Sequence, residues 1–236
     1  MIALLLPAIL APAAVLAASF AGSSLLLPAL ASVAVYPVMA HLVSVGRPGR
    51  AVLATLLWAA SLSASIIALA ARDPGRAGAL VIHGPAYRDE MFSFIRSGMG
   101  PESDPRRYIP QHLVHLLGFA ALSALSGSLL GIAMGAVLIG FMSYYVGALA
   151  AAGGAPWTAL LLGWPPYAII RVVGYVVLGV ALSRPILGRL LGRPIPFPRR
   201  KRFYIAALVL LLTDLSLKWM LAPFWSAILR PCLGQP

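Results

Sequence analysis

AVLATLLWAASLSASIIALAA, residues 51–71, runs for twenty-one residues without a charge between Arg50 and Arg72. A stretch of about 20 apolar residues is what an α-helix needs to cross the roughly 30 Å hydrocarbon core of a bilayer. Outward from it the pattern recurs, at about 2–20 and 24–45 on one side and at about 109–126, 129–151, 167–183 and 203–226 on the other. The expected fold class is therefore all-α, a polytopic transmembrane helical bundle of about seven spans in a single transmembrane domain covering 1–236.

Composition agrees. Of the 236 residues, 61% are hydrophobic and 10% charged, and mean hydropathy is +0.91, whereas soluble domains carry about 25% charged residues. Lipid requires each backbone polar group to be satisfied within a helix or a closed barrel, and runs of about twenty residues rather than ten select helices. Pro7, Pro12, Pro28 and Pro37 are expected to kink the first two spans, which a bundle tolerates when neighbours take up the freed carbonyls. No Lys or Arg precedes the first span to form the basic start of a cleaved signal, so residues 1–18 read as a retained helix.

The net charge of +12 sits in the connections, where basic residues face anionic lipid and set orientation. No separate basic domain or stacking platform accompanies it, which argues against nucleic acid as a partner. Cys232 is the single cysteine, so an internal disulfide and a multi-cysteine metal knuckle are both excluded.

Residues 72–111 form the longest polar segment, with Asp73, Asp89, Glu90, Glu102, Asp104, six arginines and His83. Within it, Tyr87 to Ser97 has helical spacing with Met91, Phe92, Phe94 and Ile95 apolar, and is expected to lie as an amphipathic helix along the membrane surface. Gly127, Gly131 and Gly135 leave one face of the fifth span without side chains, where another helix backbone can approach. Ala155 to Gly163 is too short to span, and Trp164-Pro165-Pro166 makes it either a re-entrant element or half of a kinked helix.

Chemistry in such a chain belongs to polar residues placed where they are costly. Arg171, Lys218 and Asp214 fall inside spans, at depths of about 8, 12 and 18 Å from one membrane face at 1.5 Å per residue. Asp214 and Lys218 are spaced i, i+4 and are expected to neutralise each other, leaving Arg171 available as an anion clamp. His112 and His115, spaced i, i+3 at the mouth of the fourth span, could form a zinc site with His83 or Glu90 and an open position for water. Asp89-Glu90 with Arg96 is similar to the opening of glutamic-type intramembrane proteases, although arginine follows the second acid by six residues rather than that family's four. No nucleophile elbow, phosphate loop or dinucleotide fingerprint occurs.

Residues 110–183, and above all Gly163-Trp164-Pro165-Pro166-Tyr167-Ala168-Ile169-Ile170-Arg171, resemble the membrane core of the stage II sporulation protein M family. Pro166 stands at that family's helix break and Arg171 at the offset of its intramembrane glutamate; Tyr144-Tyr145 stands where the family tends to have asparagine. The resemblance implies a non-enzymatic membrane component that works with partner proteins.

Two function classes follow. One is a non-enzymatic inner-membrane scaffold, or the membrane subunit of a transport or envelope-remodelling complex, whose partners are lipids and other membrane proteins. The other is an enzyme, a metal-dependent hydrolase or protease or a lipid-linked transferase, using Glu90, His112, His115 and Arg171. They are distinguished by whether the histidines and Arg171 share one pocket. Placing Arg47, Arg50 and residues 184–202 on one side collects nine Lys and Arg there against seven opposite, which puts the N-terminus in the cytoplasm and 72–111 outside. In a Cys232→Ala background, a cysteine at Ser103 should react with an impermeant thiol reagent in intact cells and one at Gly192 should not; the reverse pattern would invert the topology.

Overall fold

The computed structural model describes residues 2–197 and 199–234. The helices follow in order as α1 (Ile2–Ala21), α2 (Leu26–Ser44), α3 (Pro48–Arg72), α4 (Pro74–Leu80), α5 (Gly84–Ser97), α6 (Pro105–Ser126), α7 (Leu129–Ala151), α8 (Pro156–Leu162), α9 (Pro166–Leu190) and α10 (Arg200–Leu229), closed by a 3-10 turn at Arg230–Leu233. No strand occurs among the described residues. Among the described residues, seven helical segments are long and apolar enough to cross a membrane: α1, α2, α3, α6, α7, α8 with α9, and α10. The chain is an integral membrane protein built as an all-α bundle.

Proline shapes this bundle, at Pro12 where the sequence reading expects it and at Pro185 where it does not. A proline at position i removes the hydrogen bond to the carbonyl of residue i−4, and lipid offers no water to replace it. Pro12 frees the carbonyl of Ala8, which accepts from Ser61 Oγ of α3 at 2.6 Å. Pro185 frees that of Ala181, which accepts from the Tyr204 hydroxyl of α10 at 3.2 Å. The carbonyl of Leu162, left open where α8 ends, accepts from Trp225 Nε1 of α10 at 2.8 Å. Each carbonyl is taken up by a helix other than its own, Ala8 by α3 and Ala181 and Leu162 by α10, so these contacts also fasten the bundle together.

The sixth expected span does not end at residue 183. Arg184 and Pro185 lie inside α9, which continues to Leu190, because Tyr204 repairs the proline site and Arg184 Nε donates to the carbonyl of Ile195 at 2.8 Å. At its start, Pro165 is extended (φ −70°, ψ 149°), so α8 and α9 are two separate helices.

Helix α7 runs through the middle, with Tyr144, Tyr145, Val146 and Leu149 buried. Gly147 lets it approach α3 backbone to backbone, since a Cβ there would meet Ala70 Cβ at 2.5 Å and the Ile67 carbonyl at 2.6 Å. The glycine row turns toward α6 within the same chain: a Cβ at Gly131 would collide with Ser123 Oγ, and one at Gly135 would stand 3.9 Å from the Phe119 ring. Gly127, at φ 62°, ends α6.

The polar segment between α3 and α6 holds α4 and α5. Asp73 and Asp104 cap α4 and α6 by accepting from the backbone N–H groups of Arg76 and Arg106. The apolar face of α5, Met91, Phe94 and Ile95, is buried with Tyr145 and Leu149 of α7 and with Ala222 and Leu229 of α10. Arg230 Nε donates to the carbonyl of Ile95 at 3.4 Å, so α5 and the end of α10 share one end of the bundle. At the other end Gly46 meets Pro196, where a Cβ would lie 3.1 Å from the proline ring. The turn before α3 and the connection that follows α9 are therefore neighbours.

Gly131→Leu should destabilise the bundle by about 1–3 kcal/mol through overpacking against Ser123. Thermal unfolding in detergent measures this, and an unchanged midpoint would mean that α6 and α7 do not meet along this row.

Candidate functional site

Four charged side chains meet where α9, α10, α6 and the connection before α6 converge, and they form two ion pairs. Arg171 of α9 donates from Nε to Asp214 Oδ2 at 2.8 Å and from Nη2 to Asp214 Oδ1 at 3.0 Å. Lys218 of α10 places Nζ 2.8 Å from Glu102 Oε2 and 4.8 Å from the centre of the Tyr108 ring. Both partners of α10 are almost sealed from solvent, Asp214 at 1% and Lys218 at 0% exposure. The i, i+4 pairing of Asp214 with Lys218 is thus corrected. Across α9 the planar guanidinium of Arg171 matches both carboxylate oxygens at once, which a lysine ammonium cannot do. Lys218 then takes Glu102 from the connection above.

Two turns into α6, His112 presents Nδ1 to the carbonyl of Tyr108 at 2.7 Å. A carbonyl only accepts, so Nδ1 carries the proton; in the neutral ring Nε2 is then a bare acceptor. Nε2 is buried without a hydrogen-bond partner and lies 3.9 Å from Asp214 Oδ2, beyond hydrogen-bond reach.

His112 and His115 line a cavity of about 160 Å³ between α2, α3, α6, α7 and α9, to which Tyr87 and Glu102 also contribute. Arg171 is part of the same wall, so the cavity brings together both histidines and the arginine. The inner wall is mostly apolar, with Met39, Phe119, Ile132, Ile139 and Val180. Thr55 and Ser128, also in the wall, spend their hydroxyls on backbone carbonyls, of Ala51 at 2.9 Å and Gly179 at 2.5 Å. Two indole N–H groups in the wall, of Trp58 and Trp164, have no partner.

Two of the expected site residues stand apart from this cavity. His83 is exposed at the head of α5 with φ 54°, and Glu90 is half-buried on α5; neither lines the cavity. Burial pushes the Glu90 carboxyl above its ordinary value, and the charge of Glu102 adds to this while Lys218 and Arg107 oppose it. Among the described residues, no group of three His, Cys, Asp or Glu side chains comes together to hold a metal ion. Arg96 lies over the Phe92 ring at 6.0 Å, and Asp89 is bound by Arg88 at 2.7 Å.

Glu102, Tyr108 and Gln111 are the site residues that sequence reasoning did not single out. The signal for Glu102 was present, since a buried lysine requires an acid and Asp214 had a second claimant in Arg171. No family model, no curated protein and no solved structure matches this chain.

Proposed function

We propose that this chain is a non-enzymatic component of a bacterial-type inner membrane, a scaffold or the membrane subunit of a transport or envelope-remodelling complex. The positive-inside bias of its connections supports a cytoplasmic N-terminus with α5 at the outer face. The observation that carries the reading is the Arg171–Asp214 fork, in which the arginine expected to hold a substrate anion is already held through Nε and Nη2. With Lys218 held by Glu102, the charged groups inside the membrane join α9, α10 and the outer connection to one another. The resemblance of residues 110–183 to the stage II sporulation protein M family points the same way.

The enzyme reading keeps one specific support: His112, His115 and Arg171 line one cavity, and His112 Nε2 is unpartnered there. In that reading His112 accepts a proton from a hydroxyl of a lipid-linked substrate and Arg171 steadies the charge that develops.

In the native host, a strain lacking the chain should be restored by His112→Ala/His115→Ala as fully as by wild type, at equal membrane abundance. The tagged chain extracted in mild detergent should also run on native gels with other membrane proteins, well above its own 24.8 kDa. A double variant that fails to complement, together with a native band of the chain alone, would overturn the scaffold reading in favour of the enzyme.

A further inference from the structure

Size and leftover polar groups define what the cavity can hold. Its volume of about 160 Å³ is close to the roughly 150 Å³ of an apolar cavity that takes one benzene. An occupant of this size has one six-membered ring with small substituents. Aromatic walls suit such a ring: Phe119 lies tilted against Tyr175 with 4.8 Å between ring centres, and both line the space together with Phe141.

The polar groups left over in the wall are mostly donors. The fork to Asp214 uses Nε and Nη2 of Arg171, so Nη1 keeps both its hydrogens, and with the side chain 21% exposed the guanidinium is not sealed in. Tyr175 stands four residues on, on the same face of α9, and its hydroxyl has no partner among the described residues. The N–H groups of Trp58 and Trp164 have none either. Against these donors stands the orphaned acceptor His112 Nε2. An unmet donor in a membrane interior is costly, and an acceptor on a ligand recovers that cost.

Charge narrows the class further. Asp214 matches Arg171 and Glu102 matches Lys218, while Glu102 itself contributes to the wall. A carboxylate ligand would find no uncompensated cation there and would stand near an acid. An uncharged carbonyl oxygen has two lone pairs, one for Arg171 Nη1 and one for the Tyr175 hydroxyl, and adds no charge.

We propose that the cavity binds a small, uncharged, one-ring carbonyl compound, its oxygen accepting from Arg171 Nη1 and the Tyr175 hydroxyl and its ring lying against Phe119. The site goes beyond the scaffold reading and holds whether or not the chain has partner proteins.

The test uses the purified chain in detergent and para-fluoroacetophenone, followed by fluorine NMR. A bound resonance should appear, saturate near one equivalent and be displaced by acetophenone. Alpha-methylstyrene has the same shape with a methylene in place of the oxygen, and should compete at least about tenfold less well for want of the hydrogen bonds. Benzoate should also compete less well than acetophenone. Tyr175→Phe, which removes only a hydroxyl, should weaken binding about threefold or more. Val176→Trp, which fills the cavity from α9, should abolish the saturable resonance. Should that variant not fold, Tyr175→Phe and competition in the wild-type protein decide between the same outcomes. A signal that grows with probe without saturating would mean partition into detergent, and would overturn the site. Equal competition by alpha-methylstyrene, or unchanged affinity in Tyr175→Phe, would overturn the recognition of the carbonyl. Equal or better competition by benzoate would overturn the uncharged class. None of these results depends on partners, so this inference can fail while the scaffold reading stands.

Discussion

Inside a bilayer no water is present to satisfy a polar group, so every carbonyl freed by proline and every charge must find its partner within the protein. This chain carries many of both, and the answers it finds hold its helices in place. Ser61 and Tyr204 take the carbonyls released by Pro12 and Pro185, and Trp225 takes that of Leu162 at the end of α8. Arg171 takes Asp214, and Lys218 takes Glu102. Three of these five contacts reach from α10 to α8 or α9, and a fourth ties α10 to the connection before α6. The last long helix, much of whose surface carries exposed apolar residues such as Leu208, Val209 and Leu212, is thus held by these polar contacts together with the packing of Ala222 and Leu229 in the apolar cluster around α5 and α7.

The cavity lies beside that arrangement, with Arg171 in its wall and α9 from Val172 to Val180 facing α6 and α7 across it. Helix α6 is the least buried of the spans that enclose the space, so the wall opposite α7 and α9 is also the one most exposed to lipid. Buried ion pairs contribute little net stability, because desolvation offsets most of their attraction, but removing one partner is costly. The network therefore specifies where helices sit more than it adds to their stability.

Hydropathy made the spans legible because each is an uninterrupted apolar run about as long as a membrane is thick. The glycine row was legible for a similar reason, as Gly131 has its closest neighbour, Ser123, on the preceding helix. The ion pairs were misread at one point. Spacing along a helix says that Asp214 and Lys218 face the same way, but it does not say what faces them, and Arg171 lies 43 residues away. Glu102 was hidden by distance in sequence to Lys218 and by its place in a loop that read as solvated. His112 and His115 were found from spacing alone, whereas His83 and Glu90 were joined to them only by nearness in sequence. The α5 helix carries those two residues on surfaces that do not reach the cavity, because its apolar side fixes its orientation on α7 and α10.

The most direct test of the idea that buried charges position these helices is a double-mutant cycle on Arg171 and Asp214, read by unfolding in detergent or bicelles. Arg171→Leu and Asp214→Leu should each cost about 3–5 kcal/mol by leaving one buried charge without its partner. Combining them should recover most of that loss, giving a coupling energy above about 1 kcal/mol, as expected for residues in direct contact. If the two losses simply add, the pair does not hold α9 to α10, and the positioning role of the buried charges is contradicted.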